Sequence, residues 1–284
     1  MRVVVAGGAG YVGHALVRSL AADGHETTVV SRTPVGDEVS WDALGSVVDG
    51  ADAVVNLAGA SIGGGRWTVA RKRLIVDSRV GTTRRIREAI EAAARPPAVF
   101  VSASGIGFAG DAGEQTVDER SPYGGDFLAG VCREWEAAAA QVPVRHVCVR
   151  CAFVVGREAP ALRLMTLPYR IGAGGPLGNG RQWFPWIHLD DAVGVYRVAI
   201  DDPTLAGPVH AVAPTLVRQR DVARELGRIL HRPALLPTPT FALRAVLGEQ
   251  ADLLLHGQRA VSTKLPRFEH RYTEIAPALE NALR

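Results

Sequence analysis

The sequence predicts an α/β fold built on a doubly wound parallel sheet, with a smaller substrate-side lobe toward the C-terminus. Three observations carry this expectation. Short β-branched runs alternate with longer helical patterns through the first half of the chain. Those runs are apolar at nearly every position, as strands are when helices cover both faces of a parallel sheet. After about Phe153 the pattern changes to loops rich in Gly, Pro and aromatic residues, such as "RIGAGGPLGNGRQWFPWIHLDD".

In chain order, a strand is expected at Arg2 to Ala6, where "RVVVA" runs into glycines, and a helix at Tyr11 to Asp23, where apolar residues recur at helical spacing. Strands follow at Glu26 to Ser31, Val39 to Trp41 and Ala53 to Ala58. The long helical pattern Val69 to Ala94 leads to a strand at Ala98 to Ser102. The Ala-rich pattern Phe127 to Gln141 leads to one at Arg145 to Arg150. Helices are expected again at Asp191 to Ile200 and Gln219 to Leu230. Residues 1–152 therefore form the main domain, its sheet completed by later segments, and residues 153–284 a lobe that caps the crevice at the carboxyl ends of the strands.

Composition narrows the function classes. With 47% hydrophobic and 21% charged residues the chain is an ordinary globular protein, and a net charge of +3 with no basic block beyond Arg71, Lys72 and Arg73 argues against nucleic acid. Cys132, Cys148 and Cys151 show no metal-ligand spacing and are odd in number, so neither a metal site nor a disulfide framework is expected. No apolar run reaches membrane-span length, and Met1 leads straight into a strand. The expected setting is the cytoplasm, with a small-molecule substrate and a monomer or homodimer.

Gly7, Gly10 and Gly13 follow the first strand and open the first helix, the context that distinguishes a dinucleotide loop from a chance glycine pattern. The glycines allow the turn, the close approach of a pyrophosphate and tight helix–strand packing. The amides of Tyr11, Val12 and Gly13 begin a helix whose positive end faces the phosphates. This is a Rossmann-like arrangement. At the end of the second strand an NAD-preferring site places a carboxylate, whereas here stand Ser31 and Arg32, a hydroxyl and a planar fork of donors suited to a 2′-phosphate. The expected cofactor is NADP(H). Trp41 and Asp42 end the third strand where adenine would lie, with Asp42 as an acceptor for its amine or, equally, as the N-cap of the next helix. "NLAGA" closes the fourth strand with Leu57, Ala58 and Gly59, small enough to lie against sugar and phosphate.

Taken together, "GGAGYVG", "VVSR", "VNLAGASI", "DSR", "SASGIGFAG", "DFLAGVCREWEAAAA" and "GGPLGNGRQWFPWIHLDD" resemble the atypical extended short-chain dehydrogenase/reductases labelled epimerase family proteins. The stretch "RPALLPTPTFALRAVLGEQADLLLHGQRAV", within residues 232–284, is similar to that family's C-terminal domain of unknown function. The resemblance implies NADP contacts at Gly10, Ser31, Arg32, Leu57, Ala58 and Arg79. It further implies a serine holding the substrate oxygen. Ser104 stands where that serine belongs, and Ser102 nearby reads as a strand hydroxyl or a cofactor contact.

The tyrosine and lysine that serve ordinary members as proton donor and ribose anchor are absent. Aligned by its Trp-Glu end, the helix carries Leu128 and Cys132 at those positions. "GFAG" likewise puts Phe108 and Ala109 where the family has tyrosines. Tyr123 is the nearest remaining phenol and the candidate proton donor, with Tyr169 a packed alternative. Arg181, Trp183 and Trp186 suit a pocket for a flat or anionic ligand. His188 reads as structural, and Glu134 and Glu136 as solvated. The leading expectation is an oxidoreductase on a small carbonyl or alcohol, with a non-catalytic NADP(H) sensor as the alternative. An epimerase or dehydratase, the second alternative, needs a base that the sequence does not display.

Overall fold

The computed structural model describes residues 1–284. Its centre is a seven-stranded, all-parallel sheet with strand order β10-β7-β5-β4-β1-β2-β3. The first half supplies β1 (Arg2–Ala6), α1 (Tyr11–Ala22), β2 (Glu26–Ser31), β3 (Val39–Ser40), α2 (Leu44–Val48), β4 (Ala53–Asn56), α3 (Val69–Ala92), β5 (Val99–Gly105), β6 (Thr116–Val117), α4 (Phe127–Ala139) and β7 (Arg145–Cys151). Then come β8 (Phe153–Val155), α5 (Pro160–Arg170), β9 (Trp186–His188), α6 (Leu189–Asp201), β10 (Gly207–Ala211), α7 (Gln219–Ile229), α8 (Thr240–Leu247), α9 (Asp252–Leu255), β11 (Arg259–Ala260) and α10 (Ile275–Leu283). Strand order reverses between β1 and β4, which opens the crevice where such sheets take their ligands.

The near-continuous apolar strands are explained by two cores, one on each face. Val3, Val5, Val55, Val101 and Val149 pack against α1 and α6, and the alternate residues Val4, Val54, Phe100 and Cys148 pack against α2, α3 and α4. Neither face is solvated, so period-two alternation has no reason to appear.

The lobe has a third core, formed by Val155, Leu162, Tyr169, Trp186, Val222, Leu226, Ile275 and Leu279. The chain returns to the main sheet between its parts, because β10 pairs with β7. Trp186 is only 1% exposed inside this core, so the expectation that it lines a ligand pocket is corrected. Its position in β9 points it between α5 and α7 elements of the same cluster rather than toward solvent.

Two boundaries differ from expectation for local reasons. β4 stops at Asn56, not Ala58, because the Asn56 side chain accepts from the Ala58 amide at 3.1 Å and turns the chain. β3 stops before Trp41, because Ser40 Oγ accepts from the Asp42 amide at 3.3 Å and starts a 3-10 turn over Trp41–Ala43. The cap is thus Ser40 and not Asp42. The short pair β6–β11, strand β8 and helices α5 and α8 have no counterpart in the sequence reading, whereas β9 is the strand expected to lead through His188 to Asp190. The ladders are only two or three residues long, α5 carries Pro160 and Pro168, and α8 is an eight-residue helix that starts directly after Pro239.

Candidate functional site

The glycine loop is built as its spacing requires. Gly7 has φ +80°, and a Cβ there would sit 2.7 Å from the Ala58 amide nitrogen, so β1 and the turn after β4 meet only because no side chain intervenes. A Cβ on Gly13 would overlap the Gly7 carbonyl. Gly10, the N-cap of α1, makes no side-chain cap, which leaves the first-turn amides of Tyr11, Val12 and Gly13 facing the crevice. Tyr11 contributes only its backbone there. Its phenol donates to the Arg157 carbonyl at 2.9 Å, and burial first, then Asp190 and Glu158, push its pKa up to about 12.

The Gly7 amide donates to the Val30 carbonyl at 3.1 Å, setting the loop beside the end of β2. There Ser31 is half-buried, and Arg32 is exposed with no ion pair or hydrogen bond to the rest of the chain. An uncommitted guanidinium next to a bare helix N-terminus fits a dinucleotide with an extra phosphate. Asp42 is exposed 3.7 Å from Arg85, and Trp41 lies in the second core beneath that arginine, with 9% of its surface free.

The turn Leu57–Ala60 faces this loop and is held from α3. Ser78 Oγ accepts from the Ala60 amide at 2.9 Å, and the Arg79 guanidinium donates to the Ala60 carbonyl at 3.0 Å while resting on the Trp135 ring. Gly59 is in place because a Cβ would come within 3.2 Å of the Arg79 guanidinium carbon. Asn56, fully buried, anchors the turn by donating to Thr83 at 3.0 Å. Ser102 is fully buried in the same register row as Asn56, and its hydroxyl donates to the Ala103 carbonyl at 3.0 Å. The expected cofactor contact at Ser102 is therefore corrected: it is part of the sheet.

Ser104 lies near the carboxyl end of β5, opposite Arg150 of β7, with 6% of its surface exposed. Its hydroxyl donates to Glu136 Oε1 at 2.6 Å. Glu136 is itself 6% exposed, which corrects its reading as solvated. It is the third member of the α4 stripe Leu128, Cys132, Glu136, spaced four residues apart and so on one helix face. Arg150 clasps its carboxylate with Nε to Oε1 and Nη2 to Oε2, both at 2.8 Å. The Tyr123 phenol donates to Oε2 at 2.6 Å. Phe108 closes the cluster from one side, 3.5 Å from the Arg150 guanidinium carbon.

That network bears directly on the proton question. Burial, then Glu136, raises the Tyr123 pKa to about 12, the reverse of the lowered value an acid–base tyrosine needs. Tyr123 as proton donor is thus corrected, since its proton is held by a carboxylate. Burial pushes Cys132 up to about 11, and its thiol points at the Gly105 carbonyl, so it offers no cation in place of lysine. Tyr169 donates to the Ala223 carbonyl at 3.2 Å and is a packing residue. His188 caps α6 by accepting the Asp190 amide on Nδ1 at 3.2 Å, and Nε2 donates to Asn281 at 3.1 Å. Burial lowers its pKa. It is structural, as the sequence reading held.

Trp183 does lie among charges. Arg218 stacks 3.8 Å above its ring, Arg259 lies 5.4 Å away, and its indole donates to Glu114 at 3.2 Å. Arg218 also grips Glu114 with two bonds of 2.9 and 2.8 Å and donates to the Arg181 carbonyl, leaving the exposed Arg181 side chain free. Glu114, Glu136, Arg150, Arg218 and Arg259 were missed in the sequence. Only Glu136 had a readable signal there, its place on the stripe with Leu128 and Cys132.

No helix is long and apolar enough to cross a membrane. Two open clefts elsewhere, one of about 580 Å³ lined by Arg220, Arg224, Arg228 and Arg232, share no residue with this crevice.

Comparison with known proteins accords with this geometry. Residues 3–212 match the model of the NAD dependent epimerase/dehydratase family, and residues 238–282 match a domain of unknown function, DUF1731. The chain is 39% identical over 294 residues to the epimerase family protein SDR39U1 of Bos taurus, covering 100% of both chains. It is 38% identical to the chloroplastic SDR39U1 homolog of Arabidopsis thaliana, over 98% of this chain and 86% of that one. A crystal structure of the human epimerase family protein SDR39U1 (isoform 2) with NADPH superposes with a TM-score of 0.94 at 36% identity, covering 99% of each chain. The chain therefore belongs to the NAD dependent epimerase/dehydratase family, with the DUF1731 domain at its C-terminal end.

Proposed function

We propose that this protein is an NADP(H)-dependent oxidoreductase acting on a small carbonyl or alcohol in the cytoplasm, as a monomer or homodimer. The observation that carries the reading is the side-chain-free N-terminus of α1 set beside the uncommitted Arg32. The NADPH in the human relative's structure supports the same choice. When bound, the nicotinamide supplies or accepts hydride. Gly7, Gly10 and Gly13 admit the diphosphate to the first-turn amides, Ser31 and Arg32 hold the 2′-phosphate, and Leu57 to Gly59 give a flat wall that Arg79 stiffens. Ser104 holds the substrate oxygen, and Arg181 and Trp183 bound the substrate end.

Calorimetric titration tests the cofactor assignment. Arg32→Ala is expected to weaken NADPH by roughly 10- to 100-fold, the worth of about 1.5–3 kcal/mol in charge-assisted hydrogen bonds, and to leave NADH unchanged. Equal affinity for the two nucleotides in wild type and variant refutes it. A panel of aldehydes, ketones and quinones tests the chemistry, with NADPH oxidation expected in wild type and lost in Ser104→Ala.

A second reading, an NADP(H) sensor without turnover, is favoured by Leu128 and the buried, high-pKa Cys132 standing where the tyrosine and lysine would be. Tight NADPH binding with no reaction across the panel selects it.

A further inference from the structure

We propose that Glu136 is the proton acceptor of this site, taking the proton of a substrate hydroxyl through Ser104. This rests on the oxidoreductase reading and supplies the base that the sequence does not display.

The argument begins with where the Ser104 proton goes. At 2.6 Å from Glu136 Oε1 the hydroxyl donates inward, so the Oγ lone pairs are what Ser104 offers to a ligand. A bare carbonyl has no proton to give them, whereas an alcohol O–H does. The site is therefore set to receive the alcohol, or an enol or hydrate, as its hydrogen-bond donor.

In the oxidation direction the balance closes with groups already named. The substrate O–H proton passes to Ser104 Oγ as the Ser104 proton passes to Glu136 Oε1. The carbinol C–H bond breaks with its electron pair moving as hydride to NADP⁺, and the C=O bond forms. Reduction is the reverse, with a protonated Glu136 resupplying Ser104.

Three features prepare Glu136 for this. Arg150 fixes the carboxylate plane with two bonds of 2.8 Å, so Oε1 stays aimed at Ser104. Tyr123 occupies Oε2 and directs transfer to the other oxygen. Position 136 lies one helical turn beyond Cys132 on the α4 face that serves the site. The groups facing this carboxylate are Ser104 from β5, Arg150 from β7, Tyr123 from the loop before α4, and Cys132 on α4 itself, with Cys148 of β7 behind them. Leu128 and Cys132 cannot take a proton from Ser104, and His188 is engaged elsewhere by Asp190 and Asn281.

The test uses the full chain loaded with cofactor, a series of secondary alcohols from 2-propanol to 1-phenylethanol with NADP⁺, and their ketones with NADPH. Wild type, Glu136→Gln and Glu136→Asp are compared. In Glu136→Gln, kcat is expected to fall by about 100-fold or more while KM and the NADPH dissociation constant, read from quenching of tryptophan emission, stay within about threefold. The pH dependence of kcat is expected to differ from that of wild type. Glu136→Asp, which keeps the Arg150 pair but retracts the carboxylate, recovers part of the rate and shifts the profile. In a single turnover of the NADP⁺ complex with 1-phenylethanol, where hydride transfer leaves the substrate proton on Glu136, an infrared carboxylic-acid band rises that Glu136→Gln lacks.

Unchanged kcat and pH profile in Glu136→Gln overturn the proposal. If that variant does not fold, unchanged kcat in Glu136→Asp does so. Failure of the underlying reading shows in the wild type instead. NADPH binding without turnover and without the infrared band overturns both the oxidoreductase assignment and the base.

Discussion

Replacing Arg150 by Met is expected to cost about 3–5 kcal/mol of folding stability, because it strands a carboxylate inside the protein. The side chains of Arg150 and Glu136 are 3% and 7% exposed, so water cannot take over the lost partner. Ser104 and Tyr123 still donate one bond each to Glu136, which sets the loss nearer the lower figure than an isolated buried ion would. Urea unfolding at neutral pH measures it. A companion double variant, Arg150→Met with Glu136→Leu, is expected to recover most of the loss, since a buried pair exchanged for apolar side chains is often neutral. A loss under about 1 kcal/mol in the single variant would show that the pair is not the structural centre of the site.

The second large effect concerns Glu119, which fastens the C-terminal segment to the sheet. It is 5% exposed, and its carboxylate accepts from the His210 amide at 3.1 Å, Ser262 Oγ at 2.8 Å, the Thr263 amide at 2.9 Å and Thr263 Oγ1 at 2.8 Å. Burial alone would raise its pKa. The donors together outweigh burial and bring it down to about 2. A carboxyl whose folded pKa lies below its unfolded value contributes stability that is fully present above the unfolded value and lost as pH falls toward the folded one. The ordinary value is near 4.5, so the contribution, on the order of 3 kcal/mol, fades between about pH 4.5 and about pH 2. Glu119→Gln is expected to be less stable at neutral pH and flatter in acid, the two curves of denaturation midpoint against pH converging below about pH 4. Parallel curves would show that the four bonds are not held in solution.

Both predictions concern residues whose importance no local pattern announces. Glu119 follows Asp118 in a polar loop, and Arg150 ends a strand whose neighbours are Val149 and Cys151. Glu136 flanks a tryptophan on a helix that reads as amphipathic, and its twin Glu134 is indeed exposed. What separates the two glutamates is 200° of helix, which the stripe through Leu128 and Cys132 records, and the arrival of Arg150 from β7, which nothing near position 136 foretells.

Trp183 and Trp186 make the same point in reverse. Three residues apart in one motif, one is stacked under Arg218 at the rim and the other is enclosed by the lobe's core. The division follows from β9, where Trp186 is committed to a ladder with β8, while Trp183 precedes the strand.

The amino-acid sequence by itself determined the class of fold and the nucleotide end of the crevice. Strand burial on both faces is written in unbroken apolar runs, and the glycine loop with Ser31 and Arg32 is contiguous along a single βαβ unit, so short-range spacing suffices to read it. The tertiary structure alone decided the buried polar cluster around Ser104 and the closure of the lobe. Ser104, Tyr123, Glu136 and Arg150 come from β5, a loop, α4 and β7, and Glu119 meets Ser262 and Thr263 across more than a hundred residues. Burial turns those meetings from solvated polar surface into short, directional bonds, and burial is a property of the packed chain rather than of any segment of it.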